Sequence, residues 1–258
     1  MPPAHRAVLR ELLRREWRER YQGSLAGGAW LLLQPLLQLL VLAFVFGSLL
    51  PARVDTAGLS FPVFLALGLF PWLLFANAVS RGTTSYLDHA GLIARVPLPA
   101  SLYVHARVLA SVLVDGLGLL LVLLVLLLGF GLGPTPAGLA AALAGLAVLV
   151  VAALAFSRIA ALLQVFVRDC AVLVGQLLGL GFFLTPVLYE RAQLPAAFAG
   201  ALAFNPLAAP VEAIRHGLSG HAGVPWVALG LSGLFAVLLL LGSIALQRRA
   251  GRHLEDFL

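Results

Sequence analysis

The sequence predicts an all-α integral membrane protein. It would have six membrane-crossing helices, an N-terminal amphipathic interface helix, and two short re-entrant helices between spans five and six. Three observations predict this. The 258 residues are 61% hydrophobic with a mean hydropathy of +1.01, and only 11% are charged, against about 25% in soluble domains. Six apolar runs of 19–27 residues recur along the chain, each long enough to cross a hydrocarbon core of ~30 Å. Between the fifth and sixth run lie two apolar pieces that are too short to cross and are broken by proline.

In order, the elements read as follows. Ala4–Tyr21 places Val8, Leu9, Leu12, Leu13 and Trp17 at helical spacing, with Arg6, Arg10, Arg14, Arg15 and Arg18 on the other face. That is a helix lying on a membrane surface. Glu11–Arg15 and Glu16–Arg20 are spaced i,i+4, as pairs on its wet side. The spans are Trp30–Leu50, Phe61–Val79, Val108–Phe130, Leu139–Val165, Ala171–Tyr189 and Val224–Leu246. The fifth breaks at Thr185-Pro186. Leu194–Phe204 and Leu207–Ile214, separated by Asn205-Pro206, are then about ten residues each, or about 15 Å as helix. Pieces of that length beside long spans read as re-entrant or interfacial helices, whose broken backbone needs protein or water around it. The whole is one transmembrane domain: 1–28 interface helix, 30–189 spans one to five, 190–218 re-entrant stretch, 224–247 span six.

Orientation follows from arginine, the only basic residue type besides histidine in the chain. With the N-terminus inside, fourteen arginines fall on the inner side and only Arg53, Arg191 and Arg215 on the outer. The excess predicts both termini in the cytoplasm and the 190–218 stretch facing outward.

The longest inner connection, Arg81–Arg107, offers N-cap candidates at Thr83-Thr84-Ser85 and a short helical piece at Tyr86–Ile93, stopped by Val96-Pro97-Leu98-Pro99. Such a piece suits docking onto a cytoplasmic partner, or is a simple connector. Trp30, Gln34 and Gln38 share one face of the first span. They line a lumen or join helices. Asn77, Ser80, Arg81 and Thr84 share a face at the inner end of span two. Asp115, the one acid well inside a span, serves a water cavity, an arginine or a proton relay. Phe70, Trp72, Phe182, Phe183 and Tyr189 crowd the outer half, as an interfacial belt or as a platform for the C–H faces of sugar rings.

Several function classes are excluded. Without lysine there is no Walker A loop, so ATP hydrolysis belongs to another chain. The single Cys170 rules out an internal disulfide or a CxxC site. The six histidines show no metal-ligand spacing, so no metal is expected, and there is no GxSxG elbow. The arginines sit at span ends, which argues against nucleic acid. No pair of spans carries the mirrored breaks of an inverted-repeat carrier.

Five blocks together carry a resemblance: RREWRERYQGSLAGGAWLLLQPLLQLLVLAFVFG, FPVFLALGLFPWLLFANAVSRGTTSYLDHAGLIARVPLP, VFVRD at 165–169, GFFLTPVLY at 181–189 and NPLAAPVEAIRHGL at 205–218. In this order they resemble the membrane permease of type-2 ABC exporters that move O-antigen, teichoic acid or capsular polysaccharide. The resemblance implies a six-span subunit that forms a homodimer in the bacterial inner membrane and docks two cytoplasmic ATPase subunits. ATP and Mg would sit on those subunits, with no cofactor on this chain. It implies a coupling helix to the ATPase around Tyr86, Leu87, Asp88, His89 and Leu92, and an outer gate that includes Asn205, Pro206, Glu212 and Arg215. Arg168 and Asp169 match a structural or coupling pair after span four, with Asp169 also placed to cap the next helix. Glu212 and Arg215, three apart, would pair with each other or across a dimer. The expected substrate is a lipid-linked polysaccharide, sliding past weak contacts from Gln34, Gln38, Phe182 and Phe183. Two other readings stand beside it: a permease of the same topology for a drug or small lipid, and a membrane enzyme acting without an ATPase.

Overall fold

The computed structural model describes residues 10–16, 27–49, 58–93, 99–191, 194–195, 200, 202, 204–220 and 223–254. Among these residues the regular structure is helical throughout, with no strand. The helices are α1 (residues 10–16), α2 (Trp30–Phe44), α3 (Phe61–Thr83), α4 (Ser85–Asp88), α5 (Ala90–Ile93), α6 (Ser101–Phe130), α7 (Pro136–Phe166), α8 (Cys170–Leu184), α9 (Ala208–Ser219) and α10 (Trp226–Leu254).

Helices α3, α6, α7 and α10 are long and apolar enough to cross a membrane. Their limits follow from local chemistry. Helix α3 opens with Pro62 in its first turn, where proline costs no hydrogen bond. Gly131, at φ +65°, ends α6 in the left-handed conformation that glycine adopts without strain. Thr135 caps α7 by accepting from the Gly138 amide at 3.0 Å, with Pro136 next.

The first and fifth expected spans are shorter as helices. Helix α2 has 15 residues and runs on through one wider turn, Val45–Leu49. Helix α8 also has 15 residues, about 22 Å, and stops five residues before Tyr189. The residue before a proline is pushed out of helical geometry, and Thr185, before Pro186, is extended at ψ 140°. Of the expected re-entrant pieces, residues 194–204 fall largely outside the described residues. The second is α9, which continues five residues past Ile214 to Ser219.

Helix α3 is buried along most of its length between α6 and α7, while α7 also packs against α9 and α10. The core runs from Val63 and Leu67 through Leu74 and Ala78 to Tyr86. Helix α8 buries only Cys170 and Phe182. Much of α2 is also open, with Trp30, Gln34 and Gln38 exposed. The α4 turns and α1 sit at one end of the bundle; the α7–α9 contact begins at the other.

Candidate functional site

Two constellations gather the polar residues of the bundle, one at each end. At the α4 end, position 16 continues the helical period of Leu12 and so faces inward with it. Leu12 packs against Tyr103 and Ala106, and Glu16 is 2% exposed. Glu16 is therefore not on the wet side of its helix. Its carboxylate accepts from Arg81 Nη2 at 2.8 Å and from Arg107 Nε at 3.0 Å. His89 Nε2 faces it at 3.5 Å. One acid thus joins α1, α3, α6 and the α4–α5 turn. An ion pair held this far from water is costly to break on one side, because the partner charge is left stranded.

Around it, Arg107 Nη1 reaches Asp88 Oδ2 and Thr84 Oγ1, and the Thr84 hydroxyl donates to Asp88 at 2.7 Å. Thr84 holds the N-cap position of α4, but its hydroxyl bonds this carboxylate rather than the backbone. Burial alone would raise the Asp88 pKa. Hydrogen bonds from Arg107 and Thr84, with the nearby positive charge, leave it below the ordinary value.

The expected helical piece at Tyr86–Ile93 is two single turns, α4 and α5, with His89 between them. Its residues divide by direction. Tyr86 is fully buried and His89 nearly so; Leu87 and Asp88 are exposed and Leu92 is partly covered. His89 Nδ1 donates to the Ser85 carbonyl at 2.9 Å, and its ring lies 5.2 Å from that of Tyr103. The Tyr86 hydroxyl accepts from Gln247 Nε2. Burial pushes that phenol up to about 12, so it stays neutral, against the pull of the Arg158 cation and the Gln247 hydrogen bond.

The polar face at the end of α3 is absorbed by the same end of the bundle. Asn77 donates to Asp115 at 3.3 Å, and Ser111 donates to it at 3.0 Å. Arg81 and Thr84 join the cluster above, while Ser80 is exposed. Arg168 and Asp169 lie exposed in the α7–α8 turn. Asp169 holds the N-cap position without a side-chain capping bond. Gln164 does that work: its carbonyl accepts from the Ala171 amide, and its amide donates to the Arg168 carbonyl at 2.8 Å. A long amide buried two residues before the end of α7 reaches both the turn and the first residues of α8, while the short Asp169 side chain is exposed.

At the α9 end the contacts are of another kind. Asn205 Nδ2 donates to the Leu184 carbonyl at 3.0 Å and to Thr185 Oγ1 at 3.1 Å, while its Oδ1 accepts from the Leu207 amide at 2.9 Å. Asn205 thus fastens the approach to α9 onto the end of α8, with Pro206 following. Glu212 and Arg215 do not pair with each other. Arg215 is 2% exposed; its Nη2 donates to the Val187 carbonyl at 3.0 Å, and its guanidinium sits 3.8 Å over the Phe64 ring. Gly68 makes this seat, since a Cβ there would meet Arg215 Nη2 at 2.3 Å. Glu212, three residues earlier, is itself buried, and the space left by the missing Cβ of Gly68 seats the guanidinium against a carbonyl and a ring instead. Beside it, His216 faces Glu190 at 3.8 Å.

Helices α7 and α9 touch backbone to backbone. A Cβ on Gly217 would meet the Gly138 carbonyl oxygen at 2.2 Å, and one on Gly145 the Pro210 oxygen at 2.7 Å. Small residues at Gly138, Ala142 and Gly145 make this seam, a spacing that allows close helix approach. It was present in the sequence as an i, i+4, i+7 pattern and carried no charge to attract notice.

The aromatics expected in the outer half split. Phe70, Trp72 and Phe182 are buried, with Trp72 and Phe182 rings 6.3 Å apart. Phe183 is 60% exposed, its ring 5.1 Å from Phe182. Tyr189 is half-buried and donates to the Phe183 carbonyl at 2.9 Å.

Comparison with known proteins follows the same outline. The chain is 32% identical over 207 residues to the O-antigen export system permease protein RfbA of Myxococcus xanthus, covering 79% of this chain and 76% of the relative. It is 27% identical over 203 residues to a protein of the same name from Klebsiella pneumoniae, covering 76% and 74%. The polysialic acid transport protein KpsM of Escherichia coli is 29% identical over 109 residues, 42% of each chain. With residues 7–218 matching the family described as ABC-2 type transporter, a stretch that runs through both constellations, this chain belongs to the ABC-2 type transporter membrane family.

Proposed function

We propose that this chain is the transmembrane subunit of an ATP-driven exporter that moves a lipid-linked polysaccharide across the bacterial inner membrane. The observation that carries this is the likeness to O-antigen export permeases over about three quarters of each chain. The partial likeness to a polysialic acid transport protein points to the same class of cargo. Two copies would form the pathway. ATP, with Mg, would be bound and hydrolysed on two separate cytoplasmic subunits.

In this reading the α4 end is cytoplasmic, which agrees with the excess of arginine on that side. Both chain termini lie there. The α4–α5 turns are the coupling element: Leu87, Asp88 and Leu92 meet the ATPase, while Tyr86 and His89 anchor the turns to the membrane domain. Helix α9 is the second re-entrant helix. Its start lies against Gly145, about 10 Å along α7 from the Gly138 level where it ends. A chain that dips in and climbs back over that length fits a gate on the outer face, hinged at Asn205-Pro206. The open stripe of Trp30, Gln34 and Gln38, with Phe183, offers weak contacts to a sliding glycan. Helices α2 and α8, open along most of their length, are the surfaces offered to the second copy.

Co-purification with the ATPase encoded beside this chain tests the reading. A Leu87→Arg, Leu92→Arg double variant is expected to lose the complex while the membrane subunit remains folded. Unchanged binding would move the docking site elsewhere, and failure of the unaltered chain to bind any ATPase would overturn the exporter reading.

A further inference from the structure

Arg158 is buried in α7 among neutral partners. Nε donates to Ser243 Oγ at 3.1 Å, Nη2 donates to Gln247 Oε1, and Nη1 lies 3.3 Å from His105 Nε2. His105 Nδ1 donates to the Ser101 carbonyl at 2.6 Å, which leaves Nε2 free to accept from the guanidinium. Gln247 in turn donates to Tyr86 Oη. Through one guanidinium, then, α4, α6, α7 and α10 are tied together. Arg158 is 5% exposed. Pulling α6 or α10 away would strand a donor of the buried cation, and pulling α4 away would strand the Gln247 amide, so the cheapest motion moves these helices as a unit.

The far end of α7 is equally fixed. Twenty residues separate Arg158 from Gly138, about 30 Å of continuous helix, and at Gly138 and Gly145 the helix rests on the backbone of α9. A backbone-to-backbone seam has no flexible side chain to absorb a displacement.

We propose that α7 carries motion from the docking turn α4 to the gate helix α9, and that Arg158 is the positioning residue that fastens α7 to α4 through Gln247 and Tyr86. This rests on the exporter reading, in which ATP acts at α4 and the gate lies at α9. Contiguity supplies the route, and the coupling between the two ends is the quantity to measure.

The experiment uses the full complex of this chain with its ATPase in lipid vesicles. The chain carries Cys170→Ser and Phe204→Cys, placing the single thiol where the side chain is 90% exposed, just before α9. The rate of labelling by a membrane-impermeant maleimide is read with and without ATP, beside the ATP hydrolysis of the same complex. With Arg158 in place, ATP is expected to change the labelling rate by at least about fivefold, the lower range of coupling between distant sites. Arg158→Gln is expected to cancel that change while hydrolysis continues, and Arg158→Lys, which keeps the cation, to restore part of it. A variant that merely weakened the fold would lower both readouts together. Should Arg158→Gln not assemble, Gln247→Leu asks the same question, since it removes both bonds that lead to α4. An ATP-dependent change that persists in the assembled variants would overturn the role of Arg158. No ATP-dependent change with Arg158 in place would instead overturn the gate reading, and the transmission route with it.

Discussion

At the α4 end of the bundle, helices meet through charge: Glu16 holds Arg81 and Arg107, and Asp88 closes the ring. At the α9 end they meet through the absence of side chains, with Gly138 and Gly217 backbone to backbone and Gly68 leaving a seat for Arg215. The two ends are built for different mechanical tasks. In the charged cluster the shared Glu16 is buried, but Arg81 and Asp88 at its rim are 29% and 46% exposed, so the rim pairs can open to water and re-form. A glycine seam inside apolar surroundings has one geometry, and its strength is the dispersion of many close atoms. The soft joint sits where a partner is expected to push, the stiff one where a gate is expected to follow.

The contrast can be broken most forcefully at Glu16. Glu16→Ala leaves Arg81 and Arg107 without their shared acid, and loss of one side of a buried ion pair costs about 3–5 kcal/mol. The thermal midpoint in detergent is expected to fall accordingly, while Glu11→Ala, at an exposed neighbouring position, leaves it in place. Equal effects at both positions would remove Glu16 from its central role.

The stiff joint comes next. Gly217→Val drives a branched side chain into the Gly138 carbonyl, and overpacking of this kind costs about 1–3 kcal/mol. Gly230→Val, where no atom lies within 4 Å of the added Cβ, is the matched control. A seam that tolerates valine as well as Gly230 does would not be close-packed.

The Asn205 contacts between α8 and α9 have an expected effect of similar size. Asn205→Ala removes the side chain's bonds to Leu184, Thr185 and Leu207, worth about 1–3 kcal/mol together once water competes. Asn205→Asp keeps the acceptor for the Leu207 amide but loses both donors, so it should fall between the parent and Asn205→Ala. Proteolysis rate at the 190–205 connection would report the difference.

The smallest effect is the pH dependence of the soft joint. Asp88 has a folded pKa below its ordinary value, so the unfolded chain binds the proton more readily. Its stabilising contribution is fully present above the unfolded value of about 3.9 and is lost as pH falls through the lower folded value. Asp88 is nearly half exposed, so the loss is modest. Comparing the melting of the parent with Asp88→Asn between neutral and acid pH should show the two curves converging at the acid end.

Much of this was legible in the sequence. The apolar runs announced the long helices, and Thr185-Pro186 announced the end of α8, because both signals are local. The residues around Tyr86 and Asn205 stood out from their place between breaks. Glu16 could have been found from its register with Leu12, yet its charge argued for the wet side. A charge goes inward only when partners wait there, and Arg81 and Arg107 are 65 and 91 residues away. Arg158 gave no local sign, because Ser243 and Gln247 come from the last helix.

By itself, then, the sequence determined the membrane class, the positions of the long helices, the breaks, and the absence of a Walker A lysine. Each of these depends on residues within a few turns of one another, where hydropathy and backbone chemistry act directly. Only the tertiary structure decided which way Glu16, Tyr86, His89 and Arg215 point, that Glu212 and Arg215 stay apart, and that α7 meets α9 without side chains between them. Those outcomes are set by what a distant helix presents at the same depth: a carboxylate, a carbonyl, a ring, or the space a glycine leaves.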